Sequence, residues 1–219
     1  MRFTYRFTGL AVFSVWLVIL VTACTPQVPA SQPSVPQPPA PPTSPTPPTS
    51  PTPPTSLAPQ PVKWLADGFI TDGEYVGVET FDDYEIHWTS DGNYIYIGIK
   101  AKTSGWLAVG TQPGTTMKDA DVVLGFVSDG KATVYDLYCT GDYGPHPPDT
   151  ELGGTNDILE FGGKEVGGYT TIEFKRLLDT GDKYDRPFSK GTNKIIWSYG
   201  LDDQSTIKHV NRGLGEIDL

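Results

Sequence analysis

Beyond residue 61 the chain holds three histidines, one cysteine and one methionine, and a transition-metal centre would have to be built from these five side chains. His87 alternates with Ile86 and Trp88 and shares a strand face with Glu85 and Thr89, which reads as a solvent-facing position. His146 sits in the rigid loop Gly144-Pro145-His146-Pro147-Pro148-Asp149, where no amphipathic pattern constrains it. Cys139 follows a strand without a partner and reads as a buried, inert thiol. Met117 is a flexible apolar residue in the polar connection Gly114-Thr115-Thr116-Met117-Lys118-Asp119, a place that core filling explains poorly. His209, in Lys208-His209-Val210-Asn211, likewise falls outside any strand pattern. Each has an ordinary structural reading by itself. A thioether and an imidazole together form the axial pair that low-spin cytochromes use for outer-sphere electron transfer.

Several other chemistries lack their residues. No Cys-x-x-Cys-His marks covalent haem, no cysteine cluster marks iron and sulfur, and no Gly-rich dinucleotide fingerprint follows a strand. A blue-copper set drawn from His87, Cys139 and His146 puts Met117 ahead of the cysteine and second histidine, the reverse of the usual cupredoxin order. No nucleophile elbow or triad context surrounds the histidines, so no catalytic site is expected. Asp82-Asp83 and Asp202-Asp203 read as solvated turns, and no Asp-x-Asp-x-Asp-Gly loop marks calcium. A single redox centre at most is implied, and electrons would pass to separate proteins.

The elements that must position these residues occupy only part of the 219-residue chain. Residues 1–23 read as an export signal: Arg2 and Arg6 precede an apolar run from Leu10 to Val21, which closes with Val21-Thr22-Ala23-Cys24. This resembles a bacterial lipoprotein signal, which implies cleavage before Cys24, acylation of that cysteine and a lipid-anchored domain on the periplasmic or cell-surface side. Residues 24–61 form a spacer with 16 of the 21 prolines and two tandem copies of Pro-Thr-Pro-Pro-Thr-Ser. Such composition favours extended polyproline II at about 3.1 Å per residue, reaching on the order of 100 Å. Arg2 and Arg6 are the only charged residues before Lys63, so the whole chain's −10 becomes −12 for the domain at 62–219. That charge argues against nucleic acid as a partner and for a redox protein with a basic docking surface.

Within 62–219 the hydrophobic period is two, which predicts an all-β antiparallel sandwich. Strands are expected at 84–89, 94–101, 106–110, 121–127, 132–138, 158–165, 169–176 and 194–200. Asp91-Gly92, Asp129-Gly130 and Gly167-Gly168 supply turns. Val122, Leu124 and Phe126 oppose Val123 and Val127, so that strand should be covered on both faces. No stretch shows a helical period.

The order of blocks then resembles the DOMON domain family. Gly105-Trp106-Leu107-Ala108-Val109-Gly110, Met117 and Ala120 to Val127 look like its first half. Phe174 to Asp182, Ile195 to Gly200, and His209 followed by Asn211-Arg212-Gly213 look like its second, and the likeness spans roughly 64–215. Phe126 stands where relatives often have Trp, and Ser198 where Ala is frequent. The resemblance implies an immunoglobulin-like sandwich. For cytochrome members it also implies non-covalent haem b, with Met117 and His209 as axial iron ligands. Haem-free members imply the alternative of a carbohydrate-binding or interaction module, for which Trp64, Tyr94, Tyr96 and Tyr143 would be the stacking aromatics.

Overall fold

Ile95, Ile97 and Ile99 alternate with Tyr94, Tyr96 and Gly98, and in the computed structural model, which describes residues 63–219, those isoleucines are buried. The same period builds ten strands: β1 (Gly77–Phe81), β2 (Tyr84–Ser90), β3 (Tyr94–Ala101), β4 (Leu107–Thr111), β5 (Asp121–Ser128), β6 (Lys131–Tyr138), β7 (Glu160–Val166), β8 (Tyr169–Leu177), β9 (Thr192–Tyr199) and β10 (Asn211–Asp218). They pair antiparallel into two five-stranded sheets, ordered β1-β2-β3-β8-β7 and β10-β9-β4-β5-β6. This is the expected sandwich. The export signal, Cys24 and the proline spacer lie outside the described residues.

Three of the hairpins turn where the sequence predicts. Asp129-Gly130 and Gly167-Gly168 both have φ positive at both positions, the backbone of a turn that matches strand twist. At the third, the Asp91 carboxylate accepts the amides of Asn93 and Tyr94, which fixes Gly92 at φ 91°.

Two strands and a helical turn were not predicted from the sequence. β10 reads Asn-Arg-Gly-Leu-Gly-Glu-Ile-Asp, and its inward positions Gly213 and Gly215 leave no apolar period to detect. The missing side chains make room for others: a Cβ on Gly213 would stand 2.6 Å from the Trp197 ring, and Phe81 fills the space beside Gly215. β1 has exposed residues at its centre and gains its order from pairing with β2. The single turn α1 (Asp149–Leu152) is closed by Gly153 at φ 84°.

The core between the sheets joins Ile95, Ile97, Ile99, Ile172 and Phe174 to Leu107, Val109, Val123, Ile195 and Trp197. β5 is covered on both faces, as expected. Its inward residues Val123 and Val127 enter this core, while Val122 and Leu124 enter a second apolar cluster on the outer face of the second sheet. On the outer face of the first sheet, residues 63–76 form a cover. There the buried Glu173 carboxylate accepts the amides of Asp67 and Gly68 and the Tyr75 hydroxyl.

Candidate functional site

An antiparallel sheet usually presents polar residues to water on its outer face. The second sheet does not. Ala108 of β4, Val122 and Leu124 of β5 and Leu137 of β6 are buried there, joined by Trp106, Ala120 and Cys139, with Phe126 and Ile196 at the margin. Gly110 keeps this floor flat, since a Cβ there would press on Ile196 at 2.7 Å and Val122 at 3.0 Å.

Met117 packs against this cluster, half-buried. It therefore does fill apolar space, contrary to the expectation from its polar surroundings, but at the edge of the outer-face cluster and away from the core between the sheets. Its loop leaves β4 at Thr111 and is pinned at several points. The Gly114 amide donates to the Lys118 carbonyl, the Ala120 amide to the Met117 carbonyl, and the Thr116 hydroxyl to Asp142 in the loop that carries His146. Asp119 and Cys139 close the base through the Asp119 amide on the Cys139 carbonyl and the Cys139 amide on the Ala120 carbonyl.

The segment that carries His209 starts at the other end of β4. Its connection leaves β9 after Tyr199, which pairs with Leu107 at the start of β4, whereas Met117 follows Thr111 at the end of β4. The floor residues Ala108, Gly110 and Ile196 lie between those two exits. The Arg212 guanidinium donates to His209 Nε2 at 3.3 Å, so that nitrogen carries a lone pair and the proton is on Nδ1. Burial first, then the charges of Arg212, Lys208 and His146, hold the imidazole below its ordinary pKa, against a hydrogen bond that the ring donates to its own backbone carbonyl. The neutral ring this produces is the form that binds a metal.

His146 is surface-exposed yet desolvated enough to have its pKa lowered, and its field is felt at His209. Around His209 in the chain Leu201, Ile207, Val210 and Leu214 are exposed, an uncommon density of apolar side chains in water.

The other sequence candidates sort apart. His87 lies on the outer face of the first sheet as read, but Tyr75 covers it at 5.7 Å between ring centroids and Glu85 lies 3.1 Å from its Nε2. Cys139 is a buried free thiol that donates to the Gly141 carbonyl, and burial raises its pKa, in line with an inert role. Among the described residues, the one group of three His, Cys, Asp or Glu side chains whose ligand atoms converge is Asp121, Asp136 and Asp185, so no copper set assembles from His87, Cys139 and His146. The aromatic candidates do not form one platform. Trp64 packs on Tyr96, Lys175 covers Tyr94 and Tyr96, and Tyr143 stands alone at 86% exposure.

Several known proteins resemble part of this chain. MOXD1 homolog 1 of Drosophila melanogaster is 30% identical over 144 residues, which cover 63% of this chain and 20% of that protein. DBH-like monooxygenase protein 1 of Mus musculus is 29% identical over 140 residues, covering 62% of this chain and 22% of that one. The chain thus spans about a fifth of these curated relatives. Among solved structures, the cytochrome b domain of pyranose dehydrogenase from Coprinopsis cinerea aligns with a TM-score of 0.46 and 16% identity over 62% of this chain and 75% of that one. Residues 80–200, more than half of the chain, match the family described as DOMON domain, and the chain belongs to that family.

Proposed function

We propose that this domain is a b-type cytochrome, holding haem b non-covalently on the outer face of the second sheet with Met117 and His209 as axial ligands. The observation that carries this reading is Met117 packed on an apolar floor, with the His209 connection, whose imidazole Nε2 faces Arg212, starting at the opposite end of β4. When bound, haem supplies a one-electron couple whose potential thioether ligation raises relative to two imidazoles. The chain's residues do the rest. Ala108, Gly110, Val122, Leu124 and Ile196 offer a flat dry surface, and Met117 and His209 fix orientation. Arg212, which is exposed, would have to give up His209 Nε2 for that nitrogen to help hold haem. No specific observation favours carbohydrate, because the faces of Tyr94 and Tyr96 are engaged by Lys175 and Trp64. The test is the absorption spectrum of the purified chain before and after adding haemin. A six-coordinate, low-spin spectrum at one haem per chain is expected, and no uptake would end the proposal.

Acidity should release that haem in a particular window. Protons compete for the His209 lone pair only below the imidazole's own pKa, which the structure lowers from 6.5. Affinity measured by haem transfer is expected to be flat from about pH 8 to 6.5, then to fall about tenfold per pH unit below the lowered pKa. A loss beginning above pH 7, or none by pH 4, contradicts His209 as the ligand.

The same reading makes the domain an exported electron carrier, anchored by acyl chains at Cys24 and held off the membrane by the proline spacer. The domain's −12 charge would steer it to a separate redox protein with a basic face. Stopped-flow oxidation by a basic soluble cytochrome is expected to slow by about tenfold or more from low to high salt. A salt-independent rate removes the electrostatic part of the proposal.

A further inference from the structure

One arginine meets four aspartates inside the sandwich, at the end where β5 begins. Arg176, Asp121 and Asp149 are each 1% exposed, Asp136 is 3% and Asp185 is 5%. Arg176 Nη1 donates to Asp121 Oδ2 at 2.7 Å, and its Nη2 lies 3.1 Å from Asp185 Oδ2. The backbone amides of Arg186 and Asp157 donate to Asp121 Oδ2 and Asp136 Oδ2, each at 2.8 Å. The Thr111 hydroxyl adds a longer bond to Asp121 Oδ2 at 3.4 Å, and the donors end there. Asp121 Oδ1, Asp136 Oδ1 and both oxygens of Asp149 and of Asp185 are buried without a well-formed hydrogen bond, although Thr180 stands near Asp185. The Arg186 guanidinium donates to the Asp119 carbonyl and the Tyr138 hydroxyl and makes no ion pair with the four aspartates.

With all four carboxyls ionised, the buried group would carry a net charge of −3, which a protein interior does not tolerate unpaired. Asp121, Asp136 and Asp185 each place a carboxylate oxygen within 4.8 Å of the others, the span of two oxygens bonded across one ion at about 2.4 Å. Asp149 borders them, with both oxygens unpartnered and the charges of Asp136, Asp121 and Asp185 bearing on it.

We propose that Asp121, Asp136, Asp149 and Asp185 form a calcium site between the sheets. The donors are all oxygen, which favours a hard cation, and a dry pocket of carboxylates suits calcium better than magnesium, which keeps its waters. The ion would tie the residue after the His146 loop and the 178–191 connection to β5 and β6, directly beneath the Met117 loop. Burial and mutual repulsion raise Asp136 to about 7, Asp149 to about 8 and Asp185 to about 6, with Asp157 and Asp182 adding to the repulsion and Arg176 opposing it.

The test uses the purified full chain, stripped with EGTA and titrated with calcium chloride. Expected are one bound calcium per chain by elemental analysis after desalting and a Tm rise of about 5–10 °C at a hundredfold excess over Kd. Magnesium at equal concentration should give much less. Asp149→Asn and Asp185→Asn, which remove charge at constant shape, should melt no lower than the stripped wild type and lose the calcium response. Absence of bound calcium in the wild type overturns the site, as does a response that survives in both variants. Should the variants fail to fold, calcium stoichiometry in the wild type decides the matter.

Discussion

His209→Ala is expected to weaken haem binding on the order of 100-fold or more, about 2.8 kcal/mol, and to abolish the low-spin spectrum. The imidazole would supply one of the two side-chain ligands to the haem iron. Met117→Ala should behave differently. The thioether is the weaker ligand, so haem should stay but become five-coordinate and high-spin, unless His146, whose field already reaches His209, takes the vacant position. Met117→Ala combined with His146→Ala separates these outcomes, since only His146 ligation would make the second change convert a low-spin spectrum to a high-spin one. Wild-type spectra from both His209→Ala and Met117→Ala would show that the ligands lie elsewhere.

What the sequence disclosed follows from how each feature is written. The central strands carry strict alternation, and Asp91-Gly92, Asp129-Gly130 and Gly167-Gly168 demand positive φ, so the hairpins and the sandwich could be read directly. β10 could not, because its inward side chains are absent and the bulk that fills their place, Trp197 and Phe81, comes from other strands. The outer-face floor was half legible. β5 shows its two apolar faces in sequence, but that the second face carries Met117 depends on how the 112–119 loop folds back, which no local pattern encodes. The aspartate cluster was hidden for another reason. Its members come from β5, β6, α1 and the 178–191 connection, so no spacing motif links them. One signal was present. Arg176 shares an inward face with Ile172 and Phe174, and Asp121 with Val123, and a charge at a core position of a strand asks for a buried partner.

Removing that arginine is the largest stability change expected in the chain. Arg176→Met keeps volume but leaves four buried carboxyls with no cation, and breaking a buried pair in this way costs about 3–5 kcal/mol. Against a total of about 5–15 kcal/mol, this brings the domain near unfolding and lowers Tm by about 10 °C or more. The cost must depend on pH. Asp136, Asp149 and Asp185 have folded-state pKa values of about 7, 8 and 6, all above their ordinary 3.8. The folded state therefore holds protons that the unfolded chain has released, and stability present below about pH 4 is lost as pH rises through 6–8. Arg176 limits that loss in the wild type, so its removal should steepen it, with a small deficit at pH 5, where the three carboxyls are neutral, and a large one at pH 8. Urea midpoints of both proteins in EGTA at the two pH values make the comparison. An equal deficit at pH 5 and pH 8 would mean that Arg176 serves by packing its stem, and that the aspartates do not depend on its charge.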